Sequence, residues 1–313
     1  MQGYDIVGDI HGREWELRAL LHKLDYRKDD GVWHHPRRKA LFLGDFIDRN
    51  PARGVLGIVR PMVEAGTAVA IMGNHELNAI GFHQPHPEIP GEHLRPRIEK
   101  NLNQHELFRD EFAGDPDALE SAIDWFKTLP LWLDLGNARV VHAAWHEPSL
   151  AELDRWTDPG NRLTEEGILN VHRKGSDAAD AVEKVLKGIE IPLPNGHHFL
   201  DKDKNPRHKV RLSWWRNEDA LPWKEAAVGP PAMRHQLPDT AVAMPASVGY
   251  PDEHPPVFFG HYWWTGRPMP LADNVACLDY SAGAGGKLVA YRWSGEQVLS
   301  EANFVAVNCT ENA

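Results

Sequence analysis

Nine polar residues stand at or just after the ends of short apolar runs: Asp9 and His11 in GDIHG, Asp45, Asp48 and Arg49 in GDFIDRN, Asn74 and His75 in GNHE, His142 in VVHAAWH, and His261 in FFGHYW. Aspartate, asparagine and histidine together are the mixed oxygen and nitrogen donors that suit Mn, Fe or Zn. No cysteine belongs to the set, which argues against a closed structural zinc site. Asp9, His11, Asp45, Asn74, His142 and His261 are too many donors for one ion that keeps a position open for water. A pair of divalent ions bridged by one carboxylate fits better. Two metals ~3.5–4 Å apart can hold a hydroxide between them and neutralise a phosphoryl group. Arg49 adds a planar fork for phosphate oxygens. His75 is a candidate acid, and Asp48 could orient it.

Such a set needs elements that deliver it to one place. Tyr4-Asp5-Ile6-Val7, Lys39-Ala40-Leu41-Phe42-Leu43 and Thr67-Ala68-Val69-Ala70-Ile71-Met72 are apolar runs that each end in a Gly-polar turn. Helical spacing follows the first from Trp15 to Leu24. Pro51 is expected in the first turn of a helix running to Ala65. This βαβαβ order predicts parallel strands in an α/β sheet, with the ligand site beyond their carboxyl ends. Helical stretches are expected over 96–112 and 117–128, and two strands are expected to meet near Gly136-Asn137. Residues 255–263 read as another buried strand. VACLDY (275–280) and KLVAYRW (287–293) read as a hairpin around SAGAGG. The stretch 147–256 is polar, rich in proline and weakly periodic, with helix expected over 177–186. No internal repeat is present.

Composition bounds the reading. The 313 residues carry 34 Lys and Arg against 45 Asp and Glu, a net charge of −11, which argues against general nucleic-acid binding. Cys277 and Cys309 are the only cysteines. No disulfide framework is implied, and a reducing cytosol fits. The start MQGYDIVGD lacks the pattern of a signal peptide, and no run of ~18 apolar residues suggests a membrane span. A cytoplasmic location is expected.

The five motifs, taken together, resemble the calcineurin-like metallophosphoesterases. More narrowly, they resemble the phosphoprotein phosphatase branch, which includes serine/threonine protein phosphatases and bacterial symmetrical diadenosine tetraphosphatases. They run from residue 8 to 263 in family order, and the closing CLDYSAGAGGKLVAYRW is similar to the family's last hairpin. The resemblance implies an α/β fold, the α/β/β/α sandwich of two mixed sheets flanked by helices. It implies a single domain over 1–313 with insertions at about 82–128 and 147–256. Asp9 and His11 would bind the first ion, Asp45 would bridge, and Asn74, His142 and His261 would bind the second. Arg49 would hold phosphate, and His75 with Asp48 would serve the leaving group. The implied activity is dimetal-dependent hydrolysis of a phosphoric ester by hydroxide held between the ions, Mn being the expected metal and Fe or Zn the others. The substrate would be a phosphorylated small molecule, a nucleotide or a phosphoprotein. The alternatives are hydrolysis of a dinucleoside polyphosphate such as diadenosine tetraphosphate, or a metal-binding scaffold without catalysis.

Departures from the family pattern carry their own expectations. Asn50 stands where Gly is usual after Asp-Arg, a place for left-handed backbone that Asn tolerates. Ala143-Ala144 follow His142 where Gly is common. Trp263 stands where wider-family members have a second histidine, which the narrower branch lacks. Arg216 in LSWWR is a further candidate for binding phosphate. Other features have bland readings. His146 is expected to be exposed rather than a ligand, and Cys277 to be a small core residue. The tryptophan pairs at 214–215 and 263–264 are expected to pack in the core. His83, His86 and His93 fall in a Pro-rich loop. DKDKNPRHKVRL starts like a calcium loop but has Pro206 and Leu212 at the wrong places. AGAGGKL lacks the Ser or Thr of a phosphate loop. Asn308-Cys309-Thr310 is a sequon that matters only in a secreted chain.

Overall fold

The three apolar runs that precede the Gly-polar turns lie side by side. Gly3–Val7 pairs in parallel with Arg38–Phe42, with Ile6 opposite Leu41, and Arg38–Phe42 pairs in parallel with Ala68–Ala70. On its other edge Gly3–Val7 runs antiparallel to Lys287–Trp293, which in turn carries Phe304–Asn308 and the short strand Asp279–Tyr280. A second mixed sheet orders Val275–Cys277, Val257–Phe259, Arg139–Val141 and Trp132–Asp134, the last pair antiparallel and the others parallel. The computed structural model describes residues 3–201 and 204–309. Lys202 and Asp203 of the calcium-like loop, and Thr310 of the sequon, lie outside them.

Side chains alternate across each strand and so divide the interior in two. Ile6, Leu41, Val289 and Tyr291 of the first sheet share one buried cluster with Val140, Phe258 and Ala276 of the second. The rings of Phe258 and Tyr291 meet across the gap at 5.2 Å. Val7, Phe42 and Ala70 face the other way, into a larger cluster with Leu17, Leu20, Val55 and Val59. Those residues come from helices Glu14–Lys23 and Arg53–Glu64, which pack on the first sheet. The outer face of the second sheet, with Val257, Phe259 and Val275, joins Leu150, Leu153, Val182 and Val185 of helices Glu147–Leu153 and Asp177–Lys187. The layering is helix, sheet, sheet, helix, as the resemblance implies.

Several local expectations are corrected. The run 275–280 is not one arm of a hairpin. Val275–Cys277 belongs to the second sheet, and only Asp279–Tyr280 pairs with Lys287–Trp293 in the first. The chain changes sheets at Leu278, whose amide donates to Phe259 O at 2.7 Å. Pro51 precedes its helix, which starts at Arg53 and is capped from a distance: the Glu111 carboxylate accepts from the amides of Ala52 (2.6 Å) and Arg53 (3.0 Å). The stretch 96–112 is two helices, Glu99–Gln104 and Glu106–Phe112, broken at His105. His83 ends helix Asn74–His83 rather than lying in a loop. His146 is buried, with Nδ1 2.8 Å from Ser149 Oγ at the start of a helix, so its neighbour three residues on, not solvent, satisfies it. Among the described residues no helix is long and apolar enough to cross a membrane.

Between the strands lie the longer segments. Helix Pro116–Lys127 packs on Asn74–His83 and brings 82–128 against the first sheet's turns. Within 147–256, Lys209–Leu212 is the middle strand of a small sheet, and Trp214 and Trp215 pack on Phe259, their rings 5.1 and 5.4 Å away. Both tryptophans are core residues, as expected.

Candidate metal centre and phosphate site

The Gly-polar turns reach the same end of the sheets and interlock. The amide of His11 donates to Asp45 O at 2.8 Å, and that of Gly12 to Phe46 O at 2.9 Å. Positive φ is uncommon outside glycine, yet His11 (49°), Asp45 (52°), Asp48 (61°), Arg49 (68°), His261 (72°) and Trp263 (53°) all adopt it. Such outliers persist where surroundings over-determine them, and here the surroundings are polar and buried. The left-handed positions fall on Asp48 and Arg49, not on Asn50. Asn50 instead donates through Nδ2 to His11 O at 2.8 Å and so ties two turns together.

Glu76 was passed over in the sequence, and it organises the centre. It is fully buried, and its carboxylate accepts from the amides of Asp45, Phe46 and Gly73 at 2.8, 2.8 and 2.9 Å. As the third residue of helix Asn74–His83 it reaches back to the amide of the N-cap residue Gly73, the acidic half of a capping box. An acid at that helix position was its only sequence signal. Burial, then the neighbouring Asp45 carboxylate, pushes its carboxyl up to about 7.

Asp45 sits at the middle of the set. His11 Nε2 lies 3.7 Å and His75 Nε2 3.9 Å from its Oδ2, while His142 Nε2 lies 3.5 Å from its Oδ1. Two buried triads share this carboxylate, His11–Asp45–His75 and Asp45–His142–His261, each with donor atoms within 4.8 Å of one another. Asn74 Oδ1 is 3.2 Å from His142 Nε2, and Asp9 Oδ2 accepts from the amide of His261 at 3.0 Å. The far nitrogens of two histidines are fixed by carbonyls: His11 Nδ1 by Ile47 O at 3.2 Å and His142 Nδ1 by Leu43 O at 2.7 Å. This leaves their Nε2 atoms for the centre.

The donor set fits divalent ions by what it leaves unpaired. Asp9 Oδ1, His11 Nε2 and His261 Nε2 are buried without a hydrogen-bond partner. Buried polar groups are normally satisfied, and His11 and His261 each belong to one of the two triads around Asp45, so their unpaired nitrogens suit divalent ions there. Asp9 is pushed well up, by burial and then by the Asp279 carboxylate. Asp279 is itself pushed up to about 6 by burial and receives the amides of Trp263 (2.7 Å) and Ser281 (2.9 Å). Burial pulls His11 down to about 4 and His261 well below its ordinary value, so both present lone pairs. Burial opposes the charged form of His142, but Asp45 outweighs it and takes the group up to about 10.

His75 and Asp48 form a tight pair, Nδ1 to Oδ2 2.5 Å. Burial would raise Asp48, but hydrogen bonds from His105 and then His75 bring it down to about 2. His75 is raised despite its burial, by Asp45 and then by Asp48. His105, not anticipated, takes the other oxygen of Asp48 at 3.1 Å. Arg49 makes no ion pair among the described residues. Its guanidinium lies 5.4 Å from the ring centroid of Trp263, which is half-buried beside His11 instead of lying in the core.

Arg216 is paired with Glu218 and lies 3.9 Å from Glu225, both in the insertion. Arg211, which no motif flagged, is an arginine that does act on the site. Its Nε is buried and unpartnered, its guanidinium is 5.7 Å from the ring centroid of Tyr262, and its charge adds to the depression of His261. Only tertiary pairing of Lys209–Leu212 brings it there, so local sequence held no signal.

A sequence model of the calcineurin-like phosphoesterases matches residues 4–261. The asymmetrical bis(5'-nucleosyl)-tetraphosphatase PrpE of Oceanobacillus iheyensis is 30% identical over 157 residues, 49% of this chain and 60% of that protein's length. The symmetrical bis(5'-nucleosyl)-tetraphosphatase of Klebsiella pneumoniae is 25% identical over 306 residues, 95% of this chain and 93% of that one. A solved protein serine/threonine phosphatase from Saccharomyces cerevisiae aligns with 100% of this chain and 81% of its own at 14% identity, with a TM-score of 0.48.

Proposed function

The chain belongs to the calcineurin-like phosphoesterase family, and from that membership we propose that it is a dimetal-dependent phosphoric-ester hydrolase, acting on phosphomonoesters in the manner of a phosphoprotein phosphatase. The observation that carries the reading is the buried carboxylate of Asp45 shared by two triads, with orphaned donor atoms on Asp9, His11 and His261 around it. Asp9 and His11 would hold one ion with Asp45, and Asn74, His142 and His261 the other. Oxygen and nitrogen donors without sulfur suit Mn, Fe or Zn, and Mn is the metal we expect. When bound, the two ions supply charge to neutralise a phosphoryl group and water activated for attack.

The chain's own residues do the rest. Arg49, free of carboxylate partners among the described residues, offers two parallel N–H groups to phosphate oxygens. Arg211, whose charge acts on His261 and whose guanidinium lies 3.8 Å from Glu190, is a second candidate with a stronger claim than Arg216, whose fork is already filled by Glu218. His75 has one nitrogen committed to Asp48, so Nε2 faces the centre. That nitrogen could bind an ion or carry a proton. The bond to an ionised carboxylate favours the imidazolium, and so the proton-donor role toward the departing oxygen.

A second reading is hydrolysis of a dinucleoside polyphosphate. It is favoured by the Klebsiella tetraphosphatase, whose likeness spans nearly the whole of both chains. With Mn supplied, phosphate release from phosphopeptides against nucleotide release from diadenosine tetraphosphate separates the two. Absence of metal-dependent turnover on both, and on p-nitrophenyl phosphate, would leave only a non-catalytic scaffold. We read 1–313 as one domain with insertions at 82–128 and 147–256. The two buried free thiols fit a cytoplasmic setting.

A further inference from the structure

We propose that His105 is a positioning residue for the leaving-group step, holding the Asp48 carboxylate in the orientation that aims His75 at the departing oxygen, with His83 steadying it from behind. The proposal rests on the reading of His75 as proton donor. Asp48 is buried, and its two oxygens are divided between two imidazoles: Oδ2 takes His75 Nδ1 at 2.5 Å and Oδ1 takes His105 Nδ1 at 3.1 Å. An ionised carboxylate can only accept, so His105 Nδ1 must carry hydrogen. Its Nε2 lies 3.1 Å from His83 Nε2, which makes a line His75–Asp48–His105–His83 from the centre to a half-buried ring.

His105 has no freedom to serve another partner. It is 1% exposed, stacks on Phe108 at 4.9 Å and leans on Phe82 at 5.1 Å. The chain breaks a helix to put it there: His105 ends Glu99–Gln104 and begins Glu106–Phe112 with φ −107° and ψ 11°. Asp48 in turn stands on a left-handed turn, and the two imidazoles are the only side chains that bond its carboxylate among the described residues. Without His105, one buried oxygen would lose its donor and the carboxylate could rotate away from His75. The segment 82–128 thereby reaches the reaction through one ring.

A purely structural histidine would matter equally for every substrate, and this separates the two roles. The test compares the Mn-loaded enzyme on an alkyl phosphate, which needs a proton on its leaving oxygen, and on p-nitrophenyl phosphate, which does not. General-acid help is worth about 10²–10⁴-fold, so His105→Phe, which keeps the stacking, should lower kcat on the alkyl ester by about tenfold or more and leave p-nitrophenyl phosphate within about threefold. His105→Asn, which keeps an N–H near the place of Nδ1, should recover most of the loss. In an Asp48→Asn background His105→Phe should cost nothing further. The ratio of the two substrates is taken on one sample, so partial misfolding cancels. Equal losses on both substrates, no rescue by Asn, or a full additional loss in the Asp48→Asn background would overturn the proposal. If His75→Asn itself fails to separate the substrates, the donor reading falls first.

Discussion

Arg49 shows how much one side chain can be asked to do. Its backbone is left-handed, and its guanidinium lies near Trp263 with no acid among the described residues to claim it. Arg49→Ala should lower kcat/KM while leaving metal content and melting temperature nearly unchanged, and Arg49→Lys should restore only part, because an ammonium lacks the bidentate fork. Equal loss of folding and turnover would make it a structural residue. Gly260 is constrained from the other side: a Cβ there would sit 1.9 Å from Asp9 Oδ1. Gly260→Ala should displace Asp9 and reduce bound metal per chain, read by elemental analysis. The nine residues at the strand ends were legible because each stands in a contiguous motif. His105 and Arg211 were not, because what gives them meaning is a partner about 50 to 60 residues away, and Glu76, though it stands in GNHE, takes its role from amides about 30 residues away.

At the scale of elements, apolar periodicity located the central strands and helices and missed their junctions. The run 275–280 is apolar but for Asp279 and reads as one continuous strand, so its pattern could not reveal a change of sheet at Leu278. The helical pattern over 96–112 hid the break at His105 for the same reason. That break gives helix Asn74–His83 a pH dependence. Burial, then the adjacent His105, holds His83 down to about 4, whereas an unfolded histidine titrates near ~6.5. Between those values the unfolded chain binds a proton that the folded chain does not, so stability must fall as pH drops through the window. His83→Gln should flatten that fall, seen as a smaller decrease in denaturation midpoint between about pH 7 and 5. A parallel decrease in both proteins would refute the assignment. The distant cap supplied by Glu111 gives a second check. Glu111→Ala should destabilise helix Arg53–Glu64 by about 1 kcal/mol, measured by urea denaturation, and loosen the turn that carries Arg49.

The whole molecule concentrates negative charge where water does not reach. Asp9, Asp45, Asp48, Glu76 and Asp279 are all buried, and Asp9, Glu76 and Asp279 each feel the Asp45 carboxylate. Such a cluster is costly without cations, so divalent metal should stabilise the fold as well as drive turnover. A ligand at 100 times its Kd adds about 2.7 kcal/mol per site, so chelation should lower the melting temperature by several degrees and Mn should restore it. Asp45→Asn, which weakens both positions at once, should lose most of that response and most activity. Elemental analysis should find two ions per active chain; one or none would sink the dimetal reading.

The crossing at Leu278 has a mechanical meaning. Its carbonyl lies where a Cβ on Gly8 would be, 2.1 Å away, so the strand that leaves one sheet for the other is pressed against the turn that carries Asp9 and His11. Asp9, His11, Asp45 and Asn74 ride on one sheet, while His142 and His261 ride on the other. Like a dowel through two plates, the crossing sets the alignment of halves that would otherwise be free to creep past each other. Such a centre has no half-assembled form to fall back on. Under rising denaturant, the tryptophan signal of the core and the hydrolysis of a chromogenic ester should vanish at the same concentration; activity lost well before the core melts would mean that the dowel has play.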